Sequence, residues 1–278
     1  RLRSILVGGP NWLGDAVLAL PMLANLRRSF PAARISLLVR PWVSDLFQAS
    51  PFIDDLLVIP SRNQFVWAVT ALRRRRFQLA ILLPNSFRAA LISALAGITH
   101  RIGYVTGGRG PLLTVGVCTP GKRSLHQADA YLGLLRAFRW DAWEQPTGLT
   151  FPPGGDGDAE RLLAAAGLGS DASFIGINPG GAYGTAKRWP AERFAEAADL
   201  LSDRLGTIAL LFGSPKEASV TRAIRERMRR AAVDLGGRTS LSTLASLLSR
   251  CRLLLTNDTG AMHLAATLNV PCVAIFGP

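Results

Sequence analysis

The chain has 278 residues, 49% of them hydrophobic, three cysteines and a formal net charge of +13. That length suits two domains with packed cores, and its longest apolar runs are strand-length and interrupted, which excludes a membrane-spanning helix. Cys118, Cys251 and Cys272 are odd in number and lack CxxC spacing, so they read as buried small apolar residues of a cytosolic protein rather than a disulfide framework.

The charge is unevenly spread. Residues 1–150 carry 18 Lys and Arg against 7 Asp and Glu, whereas residues 151–278 carry 14 against 12. Two readings stand side by side: neutral arginine drift, since 29 of the 32 basic residues are Arg, or an N-terminal half facing an anionic partner such as a membrane surface or an acidic glycolipid. Nucleic acid is disfavoured, because the phosphate-binding motifs described below sit in the other, nearly neutral half.

In chain order, Arg1-Leu2-Arg3 leads straight into a strand at Ser4–Val7, with no signal-peptide pattern. The turn Gly8-Gly9-Pro10-Asn11-Trp12-Leu13-Gly14-Asp15 follows, and a helix is expected over Asp15–Ser29. The turn is glycine-rich but is not GxGxxG, and the next strand, Arg34–Val39, ends in Arg40 where a dinucleotide site places an acid, which argues against NAD. Asp15 is the only carboxylate in the first forty residues. It reads either as a helix cap or as a general base; a helix N-terminus favours the ionised form, which weakens a base. Strands are expected at Leu56–Ile59 and Gln78–Leu83. Between them, the amphipathic Phe65–Leu72 runs into Arg73-Arg74-Arg75-Arg76, which reads first as a solvated helix end. The segment 116–122 matches GxxxxGK, but Arg123 stands where a P-loop needs Ser or Thr and Pro120 removes a backbone donor, so it is not a P-loop.

The run 151–157 is dense in turn residues and reads as an interdomain linker, dividing the chain into domains 1–152 and 153–278. Asp156 and Asp158 have DxD spacing, yet they sit before a helix, where turn and cap chemistry explains them better than a metal. Strands follow at Phe174–Asn178, Ile208–Phe212, Ala232–Leu235, Leu253–Thr256 and Cys272–Phe276. Strands alternating with helices throughout indicate an α/β chain with parallel sheets.

Three polar segments end these strands. The first, residues 179–190, contains Thr185 and Lys187, and Lys187 is one of only three lysines in the chain. In the second, Glu217 follows Gly213-Ser214-Pro215-Lys216; it suits a ribose diol, or equally a helix start favoured by the dipole. The third, Asn257-Asp258-Thr259-Gly260, opens a helix from about Ala261, with His263 one turn on and on the same face as Thr259. Asp258 or Thr259 can serve as plain N-caps, but acid, hydroxyl, glycine and imidazole converging on one helix terminus also make a phosphate site.

These segments closely resemble glycosyltransferase family nine, the bacterial heptosyltransferases of the lipopolysaccharide inner core, and the resemblance runs from Ile5 to the last residue. Leu83-Pro84-Asn85-Ser86-Phe87-Arg88, with Gly97–Tyr104 after it, resembles the heptosyltransferase II branch. The resemblance implies a GT-B fold, with two Rossmann-like halves and the site in the cleft between them. It implies an inverting, metal-independent transfer of heptose from ADP-heptose, which is a substrate and not a cofactor, to the first heptose of the inner core at the cytoplasmic face of the inner membrane.

By the same resemblance Asp15 is the general base, and Lys187 and Thr185 meet the diphosphate with the Thr259 and Gly260 backbone. Asp258 holds heptose hydroxyls, Glu217 the ribose, and Asn11, Asn85, Ser86 and Arg88 face the acceptor. His263 either bonds the phosphate or orients Asp258. Family members continue past the position of Pro278, so the chain is expected to be a fragment. The rival readings are a first-heptose enzyme, a nucleotide-sugar epimerase and a non-catalytic polyanion-binding module.

Overall fold

Six strands pair in parallel in the first half of the chain: β1 (Ser4–Gly8), β2 (Arg34–Val39), β3 (Asp55–Val58), β4 (Leu79–Leu82), β5 (His100–Tyr104) and β6 (Val115–Val117), in the order β3-β2-β1-β4-β5-β6. The structure is a computed structural model that describes residues 2–119, 126–143, 149–151, 154–169, 171–181 and 189–276. Its contacts divide the chain into two units, Arg1–Thr150 and Phe151–Pro278.

The central strands β1 and β4 are almost wholly buried, as parallel strands covered on both faces must be. Helices α1 (Leu13–Leu18), α2 (Leu20–Ser29), α3 (Gln64–Arg75), α4 (Phe87–Leu95) and α5 (Gln127–Arg136) supply the cover. One core gathers Leu6, Leu72, Phe77, Leu82 and Ile98 between the sheet and α3–α4. Arg73, Arg74 and Arg75 form the last turn of α3, where they complement the partial negative charge of the helix end.

The second unit has its own parallel sheet, from β7 (Phe174–Asn178), β8 (Ile208–Leu211), β9 (Ala232–Asp234), β10 (Cys251–Asn257) and β11 (Cys272–Ile275), ordered β11-β10-β7-β8-β9. Its helices are α6 (Gly155–Ala165), α7 (Ala191–Leu205), α8 (Ala218–Arg227), α9 (Leu241–Ser249) and α10 (Gly260–Thr267). Ile175, Phe194, Leu211, Ile224 and Leu255 meet in its core. In each sheet the strand order reverses beside the first strand of the unit, between β1 and β4 and between β7 and β10. Crevices at such switch points are where open α/β sheets bind ligands.

Several expectations are corrected. The helix expected over 15–29 is two helices broken at Ala19, because Pro21, in the first turn of α2, has no N–H with which to continue α1. The 151–157 stretch is not linker throughout: α6 begins at Gly155, with Asp156 and Asp158 in its first turn where the dipole favours acids. Asp156 accepts a hydrogen bond from Ser246 of α9 at 2.5 Å and Asp158 pairs with Arg161. Among the described residues no three His, Cys, Asp or Glu side chains cluster to hold a metal, and no helix is long and apolar enough to cross a membrane. Strands β5 and β6 escape the sequence pattern because one opens on His100-Arg101 and the other is three residues at an edge.

The cysteines are not all buried either. Cys118 is exposed because it lies just past edge strand β6, Cys272 is half-buried, and Cys251 is buried. Burial pushes the Cys251 thiol up to about 12, so it stays protonated and unreactive in neutral solution. A disulfide reagent at pH 8 is therefore expected to label Cys118 rapidly and Cys251 only after denaturant is added, as mass spectrometry of the labelled peptides will report.

Candidate functional site

At the β7–β10 switch point, polar side chains bind one another across the two strand ends. Asn178 ends β7, and its side-chain amide donates to the Thr259 hydroxyl at 2.9 Å and to that of Thr256 at 3.3 Å. Thr259 occupies the N-cap position of α10, but its side chain makes no cap bond; the hydroxyl is drawn back to Asn178 and Thr256. The capping explanation for Thr259 therefore fails. The first turn of α10 keeps its partial positive charge without a side-chain cap, which suits an anion. Asp258 precedes Thr259, and His263 lies four residues beyond it on α10, so the structure brings these residues together at one helix end.

Asn257, fully buried at the end of β10, was missed by the sequence reading of roles. Its Nδ2 donates to the Pro179 and Gly180 carbonyls at 2.8 and 3.1 Å, and its Oδ1 accepts from the Trp189 N–H at 3.3 Å. It thus ties both ends of the segment 182–188. Thr185 and Lys187 belong to that segment and lie outside the described residues.

Glu217 closes the same region from β8. Its Oε2 accepts from the Ser214 N–H and hydroxyl at 2.9 and 2.7 Å, and its Oε1 from the Gly181 N–H at 3.1 Å. This is a capping box that also joins two loops, so the helix-start reading of Glu217 holds geometrically. An ionised carboxylate offers about four acceptor positions, so one remains beyond these three donors. Gly180 makes the approach feasible, since a Cβ there would stand 2.4 Å from Glu217 Oε1.

In the first unit, Asp15 is half-buried at the third position of α1. Trp12, not Asp15, is the N-cap residue, which removes the plain-cap reading. Helix α1 packs on α5, where burial, and after it the Asp15 charge, holds the Tyr131 phenol well above its ordinary range. Asn11, Ser86 and Arg88 share a hollow, open to solvent, at the carboxyl ends of β1, β2 and β4. Ser86 caps α4 by accepting from the Ala89 N–H at 3.2 Å.

Asn85 is held from behind by a residue the sequence reading did not weigh. Arg109 is completely buried, and its guanidinium donates to Asn85 Oδ1 at 2.7 Å, to the Tyr104 carbonyl at 2.8 Å and to the Pro84 carbonyl. Gly103 leaves it room, since a Cβ there would lie 3.1 Å from Nη2. Among the described residues no carboxylate pairs with Arg109, so these oxygens alone offset its desolvation, which pulls its pKa below the ordinary arginine value. An Arg between glycines carries no signal of burial. Arg109→Met is expected to cost about 2–4 kcal/mol in chemical denaturation, by leaving buried carbonyls unpaired.

Two all-parallel Rossmann-type sheets, with polar groups gathered at a switch point, are the architecture of GT-B glycosyltransferases. Residues 68–278 match the model of glycosyltransferase family 9 (heptosyltransferase), and the chain belongs to this family. It is 31% identical to lipopolysaccharide heptosyltransferase 2 of Escherichia coli K12, over 99% of this chain and 83% of that one. In three dimensions it matches a family 9 glycosyl transferase from Veillonella parvula with a TM-score of 0.87 at 28% identity, covering 98% of this chain and 80% of that one. It matches the E. coli ADP-heptose lps heptosyltransferase II with a TM-score of 0.85 at 30% identity, covering 99% and 85%.

Proposed function

We propose that the chain moves L-glycero-D-manno-heptose from ADP-heptose to the first heptose of the lipopolysaccharide inner core, with inversion at the anomeric carbon. The observation that carries this reading is the 31% identity, across 99% of the chain, to a heptosyltransferase 2. In the reaction the acceptor hydroxyl oxygen bonds to the anomeric carbon as the bond to the diphosphate oxygen breaks. Asp15 takes the hydroxyl proton. ADP departs with its charge met by Lys187, Thr185, the Thr259 and Gly260 backbone and the dipole of α10.

Asp258 holds heptose hydroxyls. His263 bonds the phosphate or orients Asp258. Glu217 keeps its loop in place and offers its remaining lone pair to the ribose. Asn11, Asn85, Ser86 and Arg88 face the acceptor. The basic surplus of the first 150 residues suits peripheral work at the cytoplasmic face of the inner membrane, where acidic glycolipid is presented.

The test supplies ADP-heptose with two lipid A–Kdo acceptors, one bearing a single heptose and one bearing none, and reads the products by mass spectrometry. One heptose added only to the heptose-bearing acceptor is the expected result. Addition to the bare acceptor would instead mark a first-heptose enzyme, and no addition to either would overturn the acceptor assignment.

A further inference from the structure

Three side chains at the β7–β10 switch point share their protons in an order that their distances fix. Asn178 and Thr256 are buried, 7% and 0% exposed, whereas Thr259 is half-buried and reaches the surface at the start of α10. Each threonine brings one hydroxyl proton, and the Asn178 amide brings two. Thr256 donates its proton to the Asn257 carbonyl at 2.8 Å, so toward its other neighbours its oxygen can only accept. Asn178 Nδ2 meets that need, with its two N–H groups directed to Thr256 Oγ1 at 3.3 Å and to Thr259 Oγ1 at 2.9 Å. The opposite orientation of the amide would set its carbonyl oxygen against a Thr256 oxygen with no proton to give.

One proton is then left to turn. Thr259 Oγ1 accepts from Asn178, and among the described residues its own proton has a single acceptor, Thr256 Oγ1 at 3.1 Å. That separation is long for two hydroxyls, and Thr256 Oγ1 already accepts from Asn178. A β-branched side chain holds its oxygen in one place while the hydroxyl proton rotates about the C–O bond. The proton can therefore leave Thr256 for an acceptor arriving at the start of α10 without movement of any heavier atom. No cap bond competes, because the Thr259 side chain makes none.

We propose that Asn178 is a positioning residue that makes the Thr259 hydroxyl a hydrogen-bond donor to the diphosphate of the donor sugar. By donating to Thr259 Oγ1 from the buried side, it turns the hydroxyl proton toward the helix start. The proposal rests on the donor-site reading given above and adds a side-chain donor to the backbone groups of α10. A donor oriented before the ligand arrives stabilises the charge that grows on the departing diphosphate.

Calorimetric titration with ADP and with adenosine, on the chain and its folded variants, tests it. Thr259→Val removes the hydroxyl at nearly constant shape. It should weaken ADP binding about 10–100-fold, the loss of one hydrogen bond to a charged group, and leave adenosine, which has no diphosphate, unchanged. Thr259→Ser, which returns the hydroxyl, should return the affinity. Asn178→Ala should also weaken ADP but not adenosine. Added to Thr259→Val it should cause no further loss, because no hydroxyl remains for Asn178 to orient. Asn178→Ser, too short to reach Thr259, takes its place if the alanine variant does not fold.

Unchanged ADP affinity in Thr259→Val, additive losses in the double variant, or equal losses for adenosine would each overturn the proposal. A chain that follows the expected pattern with ADP yet transfers no heptose to either acceptor keeps the proton order and loses the heptosyl-transfer reading. A wild-type chain that does not bind ADP overturns the donor site and the role of Asn178 together.

Discussion

Asp15→Asn is expected to lower kcat for heptose transfer about 10²–10⁴-fold, the range a positioned general base contributes. The amide matches the carboxylate in shape, so the packing of α1 on α5 beside Tyr131 should survive, and ADP-heptose should bind as tightly as before. Only the capacity to take a proton is lost. Single-turnover rates beside donor affinity by calorimetry separate the two effects. Equal losses of affinity and rate would point to a structural role, and an unchanged kcat would remove Asp15 from the chemistry.

The second large effect is expected from Asn257→Leu. The substitution keeps the branched shape of the side chain at a fully buried position, in a somewhat larger volume, but strands the Pro179 and Gly180 carbonyls and the Trp189 N–H. Each unsatisfied buried group costs about 1–3 kcal/mol, so a loss of about 2–5 kcal/mol is anticipated after partial relaxation. The urea midpoint should fall with an unchanged slope. Because Asn257 joins the two ends of the segment holding Thr185 and Lys187, ADP-heptose affinity should also fall in the variant that remains folded. A stable Asn257→Leu chain with normal affinity would show that other contacts hold these ends.

The candidate site was partly legible in the chain because its chemistry clusters locally. Asp258, Thr259, Gly260 and His263 fall within six residues, and a buried strand entering a polar helix start is a local pattern. Asp15 stood out by being alone. Glu217 was left between two readings, and only its bonds to Ser214 and Gly181 revealed that it joins two loops. Thr259 could be read as a cap until the Asn178 amide, 81 residues away in sequence, was seen to bond its hydroxyl.

By itself the sequence determined the alternation of buried strands and covering helices, since strand-length apolar runs between polar turns dictate βα units wherever they occur. It also determined which polar residues stand at the strand ends. It did not determine how strands pair. The orders β3-β2-β1-β4-β5-β6 and β11-β10-β7-β8-β9 arise from crossovers between segments tens of residues apart. Those orders create the switch points, and bring Asn257 to Pro179, Arg109 to Pro84 and Asn178 to Thr259. Periodicity records which face of a segment is buried, while a hydrogen bond records which other segment lies there, and only the folded chain holds that second kind of information.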